Sequence, residues 1–341
     1  MGYDYDLVVI GGGAAGLVAA TGAASLGAKT ALIEKSRLGG DCTWYGCMPS
    51  KALLKSSQVF SLLKRLSEFG ISASAPVQYD TSRVMPHVRD IIKKISTHHP
   101  PEVFEKRGIK VLFGDVKFIN NKTVELNSNK ISAKRFIVCT GSHPLVPPIE
   151  GLKNIVYLTN ENIFDLDKLP KSLAVLGGGP IGIEISQALS RLGVEVSIVE
   201  MLDRILFRED QETAQVLANQ LTTEGIKIHA GKKAVKFSQE DNLVAITMED
   251  KDKNRSVIKV EKVLVAVGRA ASVEGLNLEK AKVRYSKKGI EVDGTLKTSV
   301  GNIYACGDVA GPYQFTHMAE YQAIIALVNA LFPFKRMVDY C

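Results

Sequence analysis

The chain has 341 residues, 45% of them hydrophobic and 23% charged, a composition typical of a globular protein with a sizeable core and room for two domains. The formal net charge is +7, but the basic residues are scattered among acidic ones, which argues against a nucleic-acid groove. The sequence has neither a long uncharged apolar run nor a basic leader before its first strand, so we expect no membrane span and no signal peptide.

The first predicted unit, residues 6–34, is a strand, a glycine-rich turn, a helix and a second strand, DLVVIGGGAAGLVAATGAASLGAKTALIE. Its glycines fit the dinucleotide fingerprint: Gly11 permits a tight turn, Gly13 lets the backbone approach a pyrophosphate, and Gly16 lets the helix pack closely on the strand. The helix N-terminus attracts the phosphates. Glu34, at the end of the second strand, is predicted to accept hydrogen bonds from ribose hydroxyls.

Cys42 and Cys47 follow this unit. An extended chain would hold their Cα atoms about 16 Å apart, and a regular helix would separate them by about 7.5 Å along its axis. Because a disulfide needs Cα atoms within roughly 6.8 Å, a bridge requires a distorted turn, which Gly46 and Pro49 permit. A helix predicted just beyond would stabilise a thiolate. Spacing alone fits a redox pair and two ordinary loop cysteines equally, and the preceding dinucleotide unit favours the redox pair.

The middle of the chain is predicted from periodicity and turn residues. Residues 110–139 alternate apolar and polar positions and predict a small antiparallel meander. Helices are predicted over residues 81–107, 209–224 and 317–332. Buried strands that end in sharp turns are predicted to finish at Thr140-Gly141, Gly268-Arg269 and Gly307-Asp308.

Residues 172–200 repeat the first unit at one constant offset, as SLAVLGGGPIGIEISQALSRLGVEVSIVE. Gly177, Gly179 and Gly182 occupy the fingerprint positions, and Glu200 corresponds to the acid that ends the first unit. One such motif is weak evidence for a dinucleotide site, but two copies in the same context are strong. An acid at this position repels a 2′-phosphate, so NADH is favoured over NADPH.

These anchors predict an α/β fold with two Rossmann-like dinucleotide-binding domains, the NAD domain inserted into the FAD domain. The predicted boundaries are residues 1–151 for the first part of the FAD domain, 152–270 for the NAD(P) domain and 271–341 for the return to the FAD domain. The chain has five cysteines; this odd number without a secretory signal indicates a reducing compartment, and we expect the cytoplasm. Cys139, Cys306 and Cys341 lack a partner at a useful spacing and are predicted to be inert. No metal site is predicted.

The segment from Gly39 to Lys51, GGDCTWYGCMPSK, resembles the active-site signature of class I pyridine nucleotide–disulfide oxidoreductases, which include dihydrolipoamide dehydrogenase, glutathione reductase and mercuric reductase. The turns at Thr140-Gly141, Gly268-Arg269 and Gly307-Asp308 occur in that family's order, so the resemblance covers essentially the whole chain. The Asp-Cys-Thr-Trp variant is most similar to a mercuric-reductase-like bacterial branch.

The resemblance implies that hydride passes from NAD(P)H to FAD and that the electrons continue to the Cys42–Cys47 disulfide. It implies that Cys47 faces the flavin and that Cys42 exchanges with the substrate. It places Lys51 near the flavin N5, and we expect Glu184, which has no acidic counterpart in the first unit, to pair with it. The predicted catalytic residues are therefore Cys42, Cys47, Lys51 and Glu184.

The predicted cofactor-binding residues combine the two fingerprints with positions implied by the resemblance. Asp308 would bind the FAD ribitol, and backbone groups at Val116 and Thr316 would contact the flavin nucleotide. The full set is Gly11, Gly13, Ala14, Ala15, Gly16, Glu34, Lys35, Gly40, Asp41, Lys51, Val116, Thr140, Gly141, Ser142, Asp308, Thr316, Gly177, Gly179, Pro180, Ile181, Gly182, Glu200, Gly268 and Arg269.

The resemblance also implies a further C-terminal domain that makes a homodimer and supplies a His–Glu acid/base pair. The sequence ends about where that domain would begin, and no histidine follows His317. We therefore expect the homodimer interface to be largely missing and disulfide turnover to be weak, with the flavin still reduced by NADH. The cysteine pair near the C-terminus of mercuric reductases is also missing, so mercury reduction is not supported.

Three functions remain open at this point. The first is an FAD-dependent reductase of a small-molecule or small-protein disulfide. The second is an NADH oxidase or quinone reductase that uses the flavin alone while the cysteines stay idle. The third is a non-catalytic nucleotide-binding fragment. The sequence does not name the oxidised substrate.

Overall fold

The computed structural model describes residues 2–72 and 78–340; the prediction for Cys341 lies outside them. The helices are α1 (Ala14–Ser25), α2 (Gly40–Trp44), α3 (Cys47–Lys64), α4 (Val84–Ser96), α5 (Pro101–Glu105), α6 (Pro180–Arg191), α7 (Gln211–Thr223) and α8 (Thr316–Leu331). The strands are β1 (Tyr5–Ile10), β2 (Thr30–Glu34), β3 (Ile109–Phe113), β4 (Val116–Asn120), β5 (Thr123–Leu126), β6 (Asn129–Val138), β7 (Ser142–Pro144), β8 (Ser172–Leu176), β9 (Glu195–Glu200), β10 (Lys227–Ala230), β11 (Lys233–Glu240), β12 (Leu243–Glu249), β13 (Arg255–Val260), β14 (Lys262–Val265), β15 (Arg269–Ala271), β16 (Tyr285–Ser286), β17 (Gly289–Ile290) and β18 (Ile303–Ala305).

The chain divides into two compact units, and each is formed by separate stretches of sequence. Unit 1 comprises Met1–Trp44, Lys94–His143 and Arg269–Cys341, and unit 2 comprises Tyr45–Lys93 and Pro144–Gly268. Each unit contains one of the two repeated strand–helix–strand segments, because α1 lies between β1 and β2 and α6 lies between β8 and β9. The α/β fold predicted from the repeat is confirmed.

Unit 1 is built on a sheet of strand order β3-β2-β1-β6-β5-β4, with β18 also paired to β6. The second half of β6 runs parallel to β1 and β18, whereas its first half is antiparallel to β5. A single long strand therefore belongs both to the parallel layer and to the meander. The parallel strands bring their carboxyl ends to one edge of the sheet, where ligands bind in folds of this kind.

The parallel layer of unit 1 is covered on both faces, as expected for such sheets. Leu7 and Val9 of β1 pack in one hydrophobic cluster with α1 and α8, and the alternate residues Val8 and Ile10 pack in another. This explains why β1 has no polar alternation in its apolar run. Helices α1 and α8 approach closely, since a side chain at Gly22 would collide with Leu327.

One element of the predicted meander is wrong. Residues 110–139 were expected to form only antiparallel strands, but β3 pairs in parallel with β2. The alternation of Lys110 with its apolar neighbours is an edge-strand pattern, in which one face is covered and the other is open. Since an edge of a parallel sheet shows the same alternation as a hairpin strand, periodicity could not separate the two.

Unit 2 combines a parallel sheet of order β10-β9-β8-β14 with an antiparallel sheet of order β11-β12-β13. A core cluster joins the two sheets through side chains such as Leu176, Phe237 and Ile246. Helix α3 packs against α6, which brings the segment after the cysteine motif beside the second dinucleotide helix. Helix α4 buries Met85, Val88 and Ile92, one face of an amphipathic helix.

The predicted helices are present with shifted boundaries. The stretch 81–107 contains α4 and α5 with a break over residues 97–100, and 209–224 and 317–332 correspond to α7 and α8. Among residues 2–72 and 78–340, no helix has both the length and the apolar character that crossing a bilayer requires.

Candidate functional site

The two glycine-rich turns have the same backbone geometry. Gly11 and Gly177 both have φ +104°, which other residues rarely adopt. A Cβ on Gly11 would collide with the carbonyl of Cys139, and a Cβ on Gly177 would collide with the carbonyl of Ala266. A Cβ on Gly16 or on Gly182 would in turn collide with the carbonyl of the first glycine of its own turn. Each turn therefore admits only glycine at these positions, as the fingerprint requires.

The acids that end β2 and β9 hold the two turns in the same way. In unit 1 a carboxylate oxygen of Glu34 accepts the Gly12 N–H at 2.6 Å and the other oxygen accepts the Ser36 N–H at 2.8 Å. In unit 2 Glu200 accepts the Gly178 N–H at 2.6 Å and the Leu202 N–H at 2.8 Å. A carboxylate has about four acceptor positions, so each glutamate retains capacity for the predicted ribose hydroxyls. The sequence did not indicate these backbone bonds.

The helices that follow these turns present unbonded N–H groups to a phosphate. Helix α1 begins at Ala14 and α6 at Pro180, and the preceding residues Gly13 and Gly179 are extended and have no capping side chain. The first-turn N–H groups of a helix have no partner within the helix, and together with the helix dipole they bind anions. Ala15 and Ile181 lie in these first turns. Each unit thus has a cradle suited to one pyrophosphate.

The redox motif is carried by the short helix α2 and by the beginning of the long helix α3. Cys42 lies in α2, and Cys47 is the first residue of α3; both are half-buried. The helix was expected to start just beyond the motif, but it begins at Cys47 itself. This places the Cys47 sulfur at the positive end of an 18-residue helix, which favours the thiolate form. In α2, Trp44 donates its indole N–H to the carbonyl of Leu38 at 2.9 Å.

Lys51 and Glu184 form the predicted pair, within unit 2. The Lys51 Nζ lies 2.7 Å from both carboxylate oxygens of Glu184, and the side chains are 59% and 36% exposed. Lys51 follows Cys47 by one helical turn, so the two side chains leave the same face of α3. The contact is confirmed, and the roles assigned to the two residues stay predictions.

A polar network in unit 1 joins four predicted cofactor residues. The Arg269 guanidinium, only 10% exposed, lies 3.1 Å from Asp41 and 3.9 Å from Asp308. It donates to the hydroxyl of Ser142 at 2.7 Å and to the Ser142 carbonyl at 2.9 Å. The Ser142 hydroxyl donates in turn to Asp308 at 2.5 Å.

Asp308 is the most buried carboxylate of this network. Burial raises the pKa of Asp308 above its usual value, while the Ser142 hydrogen bond and the Arg269 charge act in the opposite direction. A half-buried carboxylate with free acceptor positions is suited to receive hydroxyl groups of a polyol. Sequence reasoning named Asp41, Ser142, Arg269 and Asp308 separately and did not foresee that they bond to one another.

The other predicted positions are dispersed over their units. Lys35 forms an exposed ion pair with Asp115 at 3.0 Å. The Thr140 hydroxyl donates to the carbonyl of Ser272 at 2.7 Å, and the Gly141 carbonyl accepts the Ser272 N–H at 3.0 Å. Gly40 packs directly on Gly13. Val116 and Thr316 are the first residues of β4 and α8, and Gly268 is the last residue of unit 2.

Gln322 is a residue that the sequence analysis missed. It is fully buried; its carbonyl oxygen accepts the Gly307 N–H at 2.7 Å, and its amide donates to the Gly311 carbonyl at 2.9 Å and to the Tyr340 hydroxyl at 2.8 Å. It therefore braces the turn that carries Asp308. A signal was present, because an amide in the alanine-rich face of a buried helix requires polar partners.

The prediction that Cys139 and Cys306 have no partner is wrong. They follow register-paired residues of β6 and β18, both are buried, and their sulfur atoms are 3.4 Å apart. The hydrogen bond between the thiols and their burial raise the pKa of Cys139 well above its usual value, which disfavours a reactive thiolate. Partners 167 residues apart in the chain are invisible to sequence spacing. Their inertness stays a prediction.

Over the part of the chain that the structure describes, no three His, Cys, Asp or Glu side chains are grouped so that they could hold a metal ion. The twin cradles and the polar network around Asp308 suit ligands of another kind, which carry anionic and hydroxyl groups.

Comparison with known proteins agrees with this chemistry. The family model described as pyridine nucleotide-disulphide oxidoreductase matches residues 5–323. A mercuric reductase of Bacillus cereus is 34% identical over 99% of this chain and 53% of its own length. A dihydrolipoyl dehydrogenase of Acholeplasma laidlawii is 34% identical over 97% of both chains.

A solved structure is also similar. The HOCl-induced flavoprotein disulfide reductase RclA from Escherichia coli superimposes with a TM-score of 0.86 at 28% sequence identity, over 98% of this chain and 72% of that one. The chain spans 53% and 61% of the lengths of two mercuric reductases that it matches. The similarity therefore extends over nearly all of this chain but over only part of those relatives.

Proposed function

Because the chain belongs to the pyridine nucleotide-disulphide oxidoreductase family, we propose that it passes hydride from NADH through FAD to a Cys42–Cys47 disulfide and then reduces a small-molecule or small-protein disulfide. The observation that carries this proposal is the duplicated dinucleotide turn, held alike by Glu34 and Glu200. One turn would suffice for a protein with a single dinucleotide. Two turns suit a donor and a flavin.

FAD is assigned to the turn of unit 1 and the nicotinamide dinucleotide to the turn of unit 2. In support of the first assignment, unit 1 also contains the half-buried Asp308, whose acceptor positions suit a ribityl chain, and the hydroxyl and guanidinium groups of Ser142 and Arg269 beside it. When bound, FAD would supply a two-electron carrier between nicotinamide and sulfur.

The cysteines would complete the reaction by thiol–disulfide exchange. The Cys42 thiolate attacks one sulfur of the substrate disulfide and displaces the other as a thiol, so that a mixed disulfide forms. The Cys47 thiolate then attacks the Cys42 sulfur and releases the second substrate thiol. The two electrons of the dithiol leave with the substrate, and the Cys42–Cys47 disulfide is formed again. Helix α3 favours the Cys47 thiolate through its N-terminus.

Lys51 is proposed to keep a positive charge near the reacting groups, and Glu184 is proposed to orient the Lys51 ammonium group. The pair is partly exposed, so its interaction is worth at most about 1 kcal/mol. We therefore expect Glu184→Gln to slow flavin reduction by NADH by no more than about fivefold, measured by stopped-flow absorbance. Glu240→Gln, which removes the acid of an exposed pair with Lys259, should leave the rate unchanged. A loss above a hundredfold would contradict a supporting role for Glu184.

A preference for NADH over NADPH is proposed from the loop after β9. The Glu200 carboxylate is held by two backbone N–H groups, and its negative charge would oppose a 2′-phosphate. Arg204, the first basic residue beyond it, donates to the carbonyls of Leu206, Phe207 and Glu209. Its guanidinium is thus engaged with carbonyls of its own loop.

Glu200→Gln should therefore reduce the preference for NADH over NADPH. We expect the ratio of kcat/KM for NADH to that for NADPH to fall about tenfold, because a charge that repels the phosphate and binds hydroxyls is lost. Steady-state kinetics with both nucleotides measures the ratio. Asp203→Asn removes the same charge from the same loop without a place in the turn, and it should leave the ratio within twofold of the parent value.

The proposal as a whole is tested by turnover. Purified protein loaded with FAD should oxidise NADH catalytically under anaerobic conditions, beyond the stoichiometric reduction of its own cysteines and flavin, only when a disulfide, such as oxidised lipoamide or oxidised glutathione, is added. A protein that oxidises NADH with oxygen or quinone at the same rate after Cys47→Ala would instead be a flavin-only oxidase or quinone reductase. A protein that holds no FAD would be a nucleotide-binding fragment without this activity.

A further inference from the structure

Helix α2, which carries Cys42, is tied to the rest of unit 1 by an ion pair of the residue just before the cysteine. The Asp41 carboxylate lies 3.1 Å from the Arg269 guanidinium, whose side chain is only 10% exposed. A guanidinium keeps its proton at all ordinary pH values, and a charge so far removed from water needs anionic partners. Asp41 is one of these partners.

The second anionic partner lies on the other side of the same guanidinium. Asp308 is 3.9 Å away, and Ser142 bonds to both Arg269 and Asp308. Two carboxylates thus share one cation. Asp41 precedes Cys42 in the chain, and Asp308 follows Gly307, which lies close to Ala15 in the first turn of α1. Consistent with a shared field, the Asp41 charge raises the pKa of Asp308 and the Arg269 charge lowers it, beside a larger effect of burial.

The electrostatic consequence falls on the cysteine. Asp41 precedes Cys42 directly in the chain, and a carboxylate on a neighbouring residue disfavours the thiolate, which is the nucleophilic form. A cation placed 3.1 Å from that carboxylate cancels most of its field at the next residue. Asp41 without its partner would therefore make Cys42 a poorer nucleophile.

We propose that Arg269 is a positioning residue for Cys42: through Asp41 it holds α2 in place and cancels the negative charge next to the exchanging sulfur. This inference rests on the proposed function of Cys42 as the thiol that meets the substrate. It assigns the Asp41–Arg269 pair to the sulfur chemistry, in addition to any contact that Arg269 makes with a cofactor.

Alkylation of Cys42 in the reduced, FAD-loaded protein tests the inference. The second-order rate with iodoacetamide is followed by mass spectrometry of the Cys42 peptide, for the parent protein and for the variants Arg269→Gln, Asp41→Asn and their combination. Arg269→Gln should lower the rate about three- to tenfold, since one uncompensated charge on a neighbouring residue shifts a thiol equilibrium by about that amount. Asp41→Asn should raise the rate, and the double variant should return to within about twofold of the parent.

The opposite changes in alkylation rate expected for Arg269→Gln and Asp41→Asn distinguish an electrostatic role of Arg269 from a purely structural one. If Arg269 only maintained the fold, the double variant would react as slowly as Arg269→Gln or more slowly, and that result overturns the inference. Lys134→Gln, which removes a cation paired with Asp6 in the same unit, is the matched control and should leave the rate unchanged.

A conservative variant of Arg269 controls for an effect of the substitution on folding. Arg269→Lys keeps the charge and loses the planar fork, so it should react within about twofold of the parent, and a rate as low as that of Arg269→Gln overturns the inference. The equilibrium between the cysteine disulfide and dithiothreitol should move severalfold in the same order among the variants. If the flavin responds normally to NADH but Cys42 is alkylated at the same rate in all variants, this inference alone is refuted, because the alkylation measured is that of Cys42. A parent protein that holds no FAD would refute the proposed function instead.

Discussion

Cys47→Ser should reduce NADH-dependent turnover of a disulfide substrate by about a thousandfold or more, because the sulfur that resolves the mixed disulfide and passes electrons to Cys42 is gone. Reduction of bound FAD by NADH should persist at a rate close to that of the parent protein, since the two dinucleotide cradles are untouched. Anaerobic stopped-flow absorbance gives the second quantity and steady-state kinetics the first.

Cys42→Ser is the matched variant. It should lose turnover equally, but it retains the Cys47 thiolate at the N-terminus of α3. Its oxidised flavin should therefore show long-wavelength absorbance from a thiolate lying against the ring, and Cys47→Ser should not. Equal spectra for the two variants, or substantial turnover in either, would contradict the assignment of distinct roles to the two sulfurs.

The duplicated turn permits a second prediction with a built-in comparison. Gly16→Ala should weaken FAD retention by about a hundredfold, because the added Cβ collides with the Gly11 carbonyl and displacing backbone costs up to about 3 kcal/mol. Gly182→Ala produces the same collision with the Gly177 carbonyl. This second variant should keep its flavin and lose a comparable factor in NADH affinity.

Equilibrium dialysis of FAD and rapid-reaction titration with NADH measure the two affinities. The decisive feature is that Gly16→Ala should lose affinity for FAD alone, whereas Gly182→Ala should lose affinity for NADH alone. If both substitutions released FAD, or if neither changed nucleotide binding, the assignment of one dinucleotide to each turn would be wrong. Gly27→Ala is a useful reference: that glycine has a positive φ, unlike Gly16 and Gly182, and open space around its Cβ position, so the substitution should change local strain and neither affinity.

The local features of this chain could be predicted from the sequence. The repeated glycines, the acid that ends each unit and the helices after each turn depend on contacts within about thirty residues, for which turn chemistry and periodicity suffice. The pairing of Lys51 with Glu184 was also predicted and is confirmed, but it required the resemblance to a family, because nothing local relates the two residues.

What could not be predicted depends on contacts between distant segments. The thiols of Cys139 and Cys306 meet because β6 and β18 are neighbours, and Arg269 reaches Asp41 across 228 positions. Likewise β3 joins the parallel sheet, although its alternating pattern also fits a hairpin. Register and strand order, which no single segment encodes, decide all three.

The most direct test of the account is the destination of the first two electrons. One equivalent of NADH is added anaerobically to the FAD-loaded protein, and the cysteines are then alkylated and the flavin spectrum is recorded. We predict that Cys42 and Cys47 both become alkylated while the flavin remains largely oxidised. A bleached flavin with the Cys42–Cys47 disulfide intact would contradict the claim that these sulfurs receive the electrons.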